Sequence, residues 1–91
     1  QKQYEVNWHD LDWNMHLNNT LYIQWMLETV PDEFLQNGQL EHLEILFKME
    51  GQWKTQIVSA LQQIDDTTFL HRLIRKNDGK ELASMRTTWQ V

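Results

Sequence analysis

After Gln39 the sequence keeps strand patterning almost to its end, and only one earlier segment has a convincing helical period. Leu43, Ile45 and Phe47 alternate with Glu44, Leu46 and Lys48, and Ile57 and Val58 lead a further run to Ile64. Phe69 to Lys76 and Glu81 to Trp89 flank Asn77-Asp78-Gly79-Lys80, a hairpin signal because Asp-Gly tolerates positive φ. Asp65-Asp66 supplies another turn. Between Asn18 and about Leu35, by contrast, Ile23, Met26, Leu27 and Val30 recur at the three- and four-residue spacing of an amphipathic helix. Asn18 or Asn19 suits its cap, Pro31-Asp32 ends it or restarts it for one turn through Phe34 and Leu35, and Asn37-Gly38 closes the helical region. Gln3 to Asn7 reads as a first strand, with Tyr4 and Val6 on one face and Glu5 on the other. The expected order is strand, helix, four strands.

One helix and a run of antiparallel strands bury their apolar faces when the sheet curls around the helix, an α+β layer arrangement. A hot-dog fold fits this order. A ferredoxin-like arrangement needs a second crossover helix, for which only Ile57 to Ile64 offers any spacing. Ninety-one residues support a single hot-dog domain over residues 1–91. Five Trp are a large apolar load for that size, so some are expected at a second interface, with Trp53 and Trp89 as candidates.

The absence of Cys removes disulfides, thiolate metal sites and a cysteine nucleophile from these residues, and fits a cytoplasmic location. A net charge of −5 argues against nucleic acid as a partner, since phosphate binding needs a surplus of Lys and Arg. No apolar run approaches the roughly 20 residues of a membrane span. The start at Gln1 has no initiating Met, so the chain reads as a piece of something longer.

The densest chemistry is Trp8-His9-Asp10-Leu11-Asp12-Trp13-Asn14-Met15-His16-Leu17-Asn18-Asn19. In an extended stretch, the spacing of two puts Asp12, Asn14 and His16 on one side and Trp13, Met15 and Leu17 on the other, the separation expected of a loop lining a cleft. Capping is the simpler role for Asn18 and Asn19. His9, Asp12 and His16 carry metal-ligand atoms, yet they lack the spacing of a helical His pair, and no metal or other cofactor is expected. No Gly-rich phosphate loop is present.

Asp12-Trp13-Asn14-Met15-His16-Leu17-Asn18-Asn19, followed by Tyr22 and Trp25, resembles the D-x-N-x-H-V-N-N-x-x-Y-x-x-W pattern of the acyl-acyl carrier protein thioesterases. Glu28-Thr29-Val30-Pro31 is similar to that family's E-S-V-P, Phe47-Lys48-Met49-Glu50 to its Y-x-x-E, Asp78-Gly79-Lys80-Glu81 to its D-G-x-E and Arg86-Thr87-Thr88-Trp89 to its R-T-x-W. The Asp-x-Asn-x-His core is the specific part, and the closing hairpin is supporting evidence.

The resemblance implies the carboxy-terminal half of a double hot-dog enzyme that hydrolyses acyl-acyl carrier protein to release a free fatty acid. It carries Asp12, Asn14, His16 and Glu50 over as catalytic residues. Plant members commonly place Cys directly after this Glu, where Gly51 stands here, so a water activated by a carboxylate replaces a thiol mechanism. Glu50 is expected on a strand in a partly desolvated cleft; without the resemblance it is an ordinary solvated carboxylate. The first-turn amides near Asn19 and Thr20 suit a developing oxyanion.

Implied partners are an acyl carrier protein bearing a fatty acyl chain, and either a second hot-dog domain in the same chain or a homodimer partner. Because the carrier is acidic, Lys48, Lys54, Arg72, Arg75 and Lys76 are the cations from which a docking patch would be built. Two other readings fit the residues: a stand-alone acyl-CoA thioesterase with Asp12 as the main carboxylate, and a non-catalytic dimerisation or acyl-binding module. His71 is expected to be structural or exposed, and the helix stripe with Trp25 to be core rather than acyl tunnel.

Overall fold

A computed structural model describes residues 1–11 and 18–90. Strands β1 (Lys2–Glu5), β2 (Gln39–Phe47), β3 (Gln56–Gln63), β4 (Thr68–Arg75) and β5 (Glu81–Gln90) form one antiparallel sheet in the order β1-β3-β4-β5-β2. The helical region is split into α1 (Asn19–Leu27) and α2 (Asp32–Asn37), with Pro31 opening the second helix. A short 3-10 turn, Trp8–Asp10, follows β1 and was not legible in the periodicity. The segment from Ile57 to Gln63 is strand, which removes the second crossover helix that a ferredoxin-like arrangement requires. Among the described residues no helix is long and apolar enough to cross a membrane.

The strand registers align rows of side chains on the two faces. Ile45, Met85, His71 and Leu61 form one row on the helix side, while Leu46, Ser84, Arg72 and Ala60 form the neighbouring row on the outer side. Between the sheet and α1 lies a core built on Tyr22, Trp25, Met26, Ile57, Leu73 and Met85. A second cluster, Val30, Phe34, Phe69 and Trp89, seats α2 at the other end. Trp89 is therefore part of the domain's own core, and the expectation that it waits for a second interface is corrected. Trp53 is 50% exposed and packs edge-on against Trp8, itself 53% exposed.

The residues of α1 buried most deeply are Tyr22, Trp25 and Met26, whereas Ile23 and Leu27 of the expected stripe are only partly buried. Apolar side chains occur around most of this helix, so its sequence period marks a helix without showing which side meets the sheet.

Sheet side chains satisfy the carboxy-terminal carbonyls of α1. Ser59 Oγ donates to the Trp25 carbonyl at 3.0 Å, His71 Nδ1 lies 2.9 Å from the Met26 carbonyl, and the Val30 amide donates to Leu27. The carbonyls of a helix end need such donors when the end is buried. The buried polar residues Ser59 and His71 thus hold the helix at a fixed height on the sheet, which fixes where its amino terminus falls.

Candidate active site

Glu50 lies three residues beyond the end of β2 and is exposed, not on a strand in a desolvated cleft as expected. Its segment is nevertheless tightly held. Register shifts between β4 and β5 at Leu73/Ile74, so that Leu82 and Ala83 are both fully buried although they are consecutive. Such a bulge redirects the backbone. Here the Leu82 carbonyl accepts from the amides of both Lys48 (2.8 Å) and Met49 (3.1 Å). On the other side, Tyr22 of α1 donates its hydroxyl proton to the Met49 carbonyl at 2.8 Å and accepts from the Gly51 amide at 2.6 Å. Burial pushes the Tyr22 phenol above its ordinary pKa; the Gly51 amide opposes this, and the Glu50 charge adds to it.

The amino terminus of α1 is one turn from Tyr22 in sequence. Asn18 is the cap: its Oδ1 accepts from the Thr20 amide at 3.0 Å and from the Thr20 hydroxyl at 2.8 Å. The capping expectation for Asn18 is met, and the Thr20 amide is engaged by it. Asn19 and Thr20 are both exposed.

Asp12, Asn14 and His16 lie outside the described residues. The positions flanking them are joined, because the Asn18 amide donates to the Asp10 carbonyl at 3.1 Å. Asp10 also accepts from the Asn7 amide through its carboxylate, closing a capping box on the 3-10 turn.

The other histidines fall away from this region. His71 is buried and structural, one of the two alternatives expected. His42 is exposed beside Glu44, with Nε2 2.9 Å from Oε1, and His9 is exposed. Among the described residues no three His, Asp or Glu are grouped to hold a metal.

The cations expected to offer a bare basic patch are largely ion-paired. Lys48 and Arg72 converge on Glu81, and both depress its pKa; Arg75 clasps Asp78 across the hairpin. Lys54 lies in a loop with its Nζ 4.8 Å from the Trp53 ring. On the outer sheet face a groove of about 590 Å³ is lined by Leu46, Ala60 and Leu70 with Arg72 and Arg86.

The family profile described as the acyl-ACP thioesterase C-terminal domain matches residues 1–91. The chain belongs to that family. It is 35% identical to an acyl-acyl carrier protein hydrolase of Cuphea viscosissima, covering 91% of this chain and 21% of that protein. It is 30% identical to an oleoyl-acyl carrier protein thioesterase of Arabidopsis thaliana, covering 89% of this chain and 27% of that protein. The chain therefore spans about a quarter or less of the length of these plant relatives.

An acyl-ACP thioesterase from Bacteroides thetaiotaomicron superposes with a TM-score of 0.90 at 17% identity, over 98% of this chain and 36% of that one. The 12:0-ACP thioesterase from Umbellularia californica superposes with a TM-score of 0.88 at 25% identity, over 96% of this chain and 33% of that one. The hot-dog architecture expected from element order is thus the fold of this acyl-ACP thioesterase domain.

In the sequence Tyr22 is visible only as a motif position. Nothing in its spacing announces that its hydroxyl contacts the Glu50 segment 27 to 29 residues further along the chain.

Proposed function

We propose that this domain is the carboxy-terminal half of a double hot-dog enzyme that hydrolyses acyl-acyl carrier protein and releases a free fatty acid. Family membership over the whole of residues 1–91 is the observation that carries this reading. The tethering of the Glu50 segment to α1, the helix directly following Asp12, Asn14 and His16, supports the catalytic assignment.

Thioester hydrolysis needs a base for water and donors for the oxyanion. Glu50 takes a proton from water as the water oxygen attacks the thioester carbonyl carbon. The carbonyl electron pair moves to oxygen, and the Asn19 amide at the positive end of the α1 dipole faces that charge. Since the Thr20 amide is given to the Asn18 cap, Thr20 serves the oxyanion only if the cap opens. Collapse of the tetrahedral adduct breaks the carbon–sulfur bond, and the carrier thiolate leaves with the proton that Glu50 took from water, which regenerates the carboxylate. Asn14 and His16 orient the water or the thioester, and Asp12 fixes the His16 tautomer or the loop. Glu50 is exposed in this domain alone, so the water exclusion that strengthens such chemistry comes from substrate or from a partner hot-dog unit.

The test is hydrolysis by the intact protein of matched acyl-carrier and acyl-CoA thioesters, wild type against Glu50→Gln. The reading expects carrier-linked substrate to be preferred and kcat to fall about 100-fold or more in the variant. Preference for the CoA thioester would move the protein to the acyl-CoA class, and a near-normal Glu50→Gln would transfer the base to Asp12.

A further inference from the structure

We propose that Tyr22 is the positioning residue for Glu50: one buried phenol oxygen anchors both peptide groups that flank the carboxylate residue and fixes it relative to the amino terminus of α1. This rests on the reading of Glu50 as the base. The Met49 carbonyl belongs to the peptide before Glu50 and the Gly51 amide to the peptide after it, and Tyr22 Oη bonds both, at 2.8 and 2.6 Å. The hydroxyl is inserted where a three-residue turn would otherwise close on itself by a direct carbonyl-to-amide bond. The backbone on both sides of Glu50 is thereby tied to a side chain of the helix.

Several features make this anchor stiff. Tyr22 is 1% exposed, its ring lies 5.5 Å from that of Phe47, and its backbone belongs to α1, which Ser59 and His71 pin from the sheet. The Leu82 carbonyl holds Lys48 and Met49 from the opposite side. Burial keeps the phenol protonated, so it stays a donor to Met49 across the working pH range. An exposed carboxylate on an otherwise irregular segment gains from such a link, because misplacement of a catalytic group by about 1 Å can cost about 100-fold in rate.

The hypothesis is tested with Tyr22→Phe in the intact protein, on whichever of dodecanoyl-, palmitoyl- and oleoyl-acyl carrier protein the wild type hydrolyses fastest. Phe fills the same space and removes only the hydroxyl. The expected result is a fall in kcat of about 10-fold or more with KM little changed, and a Tyr22→Phe/Glu50→Gln double variant no slower than Glu50→Gln alone. Gly38→Ala is the control: its Cβ meets the Phe34 carbonyl oxygen at the end of α2, away from Tyr22 and Glu50, so it lowers the melting midpoint and leaves kcat as in wild type. Replacing Tyr22 with 3-fluorotyrosine, which keeps ring and hydroxyl, should retain kcat.

A Tyr22→Phe enzyme with wild-type kcat, beside a Glu50→Gln enzyme that is nearly inactive, overturns the positioning role while leaving the base intact. Near-normal hydrolysis by Glu50→Gln overturns both. A loss in Gly38→Ala matching that in Tyr22→Phe assigns the effect to overall stability and also overturns the proposal, as does an equal loss with 3-fluorotyrosine.

Discussion

His71 Nδ1 lies 2.9 Å from the Met26 carbonyl while its Nε2 lies 2.8 Å from Thr87 Oγ1, so one buried imidazole joins the end of α1 to the centre of the sheet. A carbonyl can only accept, which places the proton on Nδ1. Thr87 then donates to Nε2 and accepts from the Trp89 indole N–H at 3.0 Å. With neutral His71 every member of the chain is satisfied; a second proton on the ring would displace the Thr87 hydroxyl hydrogen from its acceptor.

Burial lowers the His71 pKa from 6.5, with the Met26 carbonyl opposing the shift. The folded state therefore binds fewer protons than the unfolded chain just below that value, and stability rises with pH there. The contribution should be fully present above about pH 6.5 and be lost as the pH falls toward the folded pKa. Urea midpoints at about pH 7.5 and about pH 5.5 should differ in the wild type, and His71→Gln should be less stable yet lose most of that difference. An undiminished pH dependence in His71→Gln would assign it to other groups.

Ser59 is fully buried, and its hydroxyl is the donor to the Trp25 carbonyl. Ser59→Ala leaves that carbonyl without this partner, and a buried orphan of this kind costs about 1–3 kcal/mol. Equilibrium denaturation measures the loss directly. A variant as stable as wild type would mean the helix end finds another donor.

Asp78 accepts from Arg75 and from the Lys80 amide, and the Arg75 contact first among these holds its carboxyl at about 2, below its ordinary 3.8. The folded pKa is depressed, so this contribution to stability is present above the unfolded value and is lost as pH falls through the folded one. Side-chain carboxyl NMR should find Asp78 still ionised at about pH 3, and Arg75→Ala should return it toward the ordinary value. Unchanged titration in Arg75→Ala would remove the guanidinium as the cause.

Element order was readable because strand alternation and the Asp78-Gly79 turn are local signals. A break at Pro31 was readable for the same reason, since proline fixes its own φ and lacks a donor, and of the two outcomes it allowed, an end or a restart, the structure has the restart. What escaped were relations between distant segments. The resemblance placed Glu50 on a strand through its match to the family's Y-x-x-E, but pairing to β5 ends at Phe47, and the bulge at Leu82 turns the following amides elsewhere. The burial of Trp89 depends on Phe34 arriving from α2, their ring centroids 6.3 Å apart, which no window around residue 89 contains. The polar side chains Asp12, Asn14 and His16 were singled out by composition and resemblance, and their arrangement lies outside the described residues.

Two glycines separate backbone freedom from space. Gly79 has φ +73° with nothing near where a Cβ would stand, so it serves the left-handed conformation of the hairpin alone. Gly38, at φ −85°, has no such need, but a Cβ there would sit 2.7 Å from the Phe34 carbonyl oxygen at the end of α2. Gly79→Ala should cost about 1–2 kcal/mol, the scale of forcing an L residue into that region, and Gly79→Asn should recover most of it because Asn tolerates positive φ. Gly38→Ala meets backbone atoms that move only with the helix end, so it should cost about 1–3 kcal/mol. Gly38→Asn should be no better, because its Cβ meets the same oxygen. Urea denaturation of the four variants decides the matter: rescue by Asn at residue 79 and none at residue 38 is the expected pattern. Equal rescue at both positions would show that the approach to Phe34 does not govern Gly38.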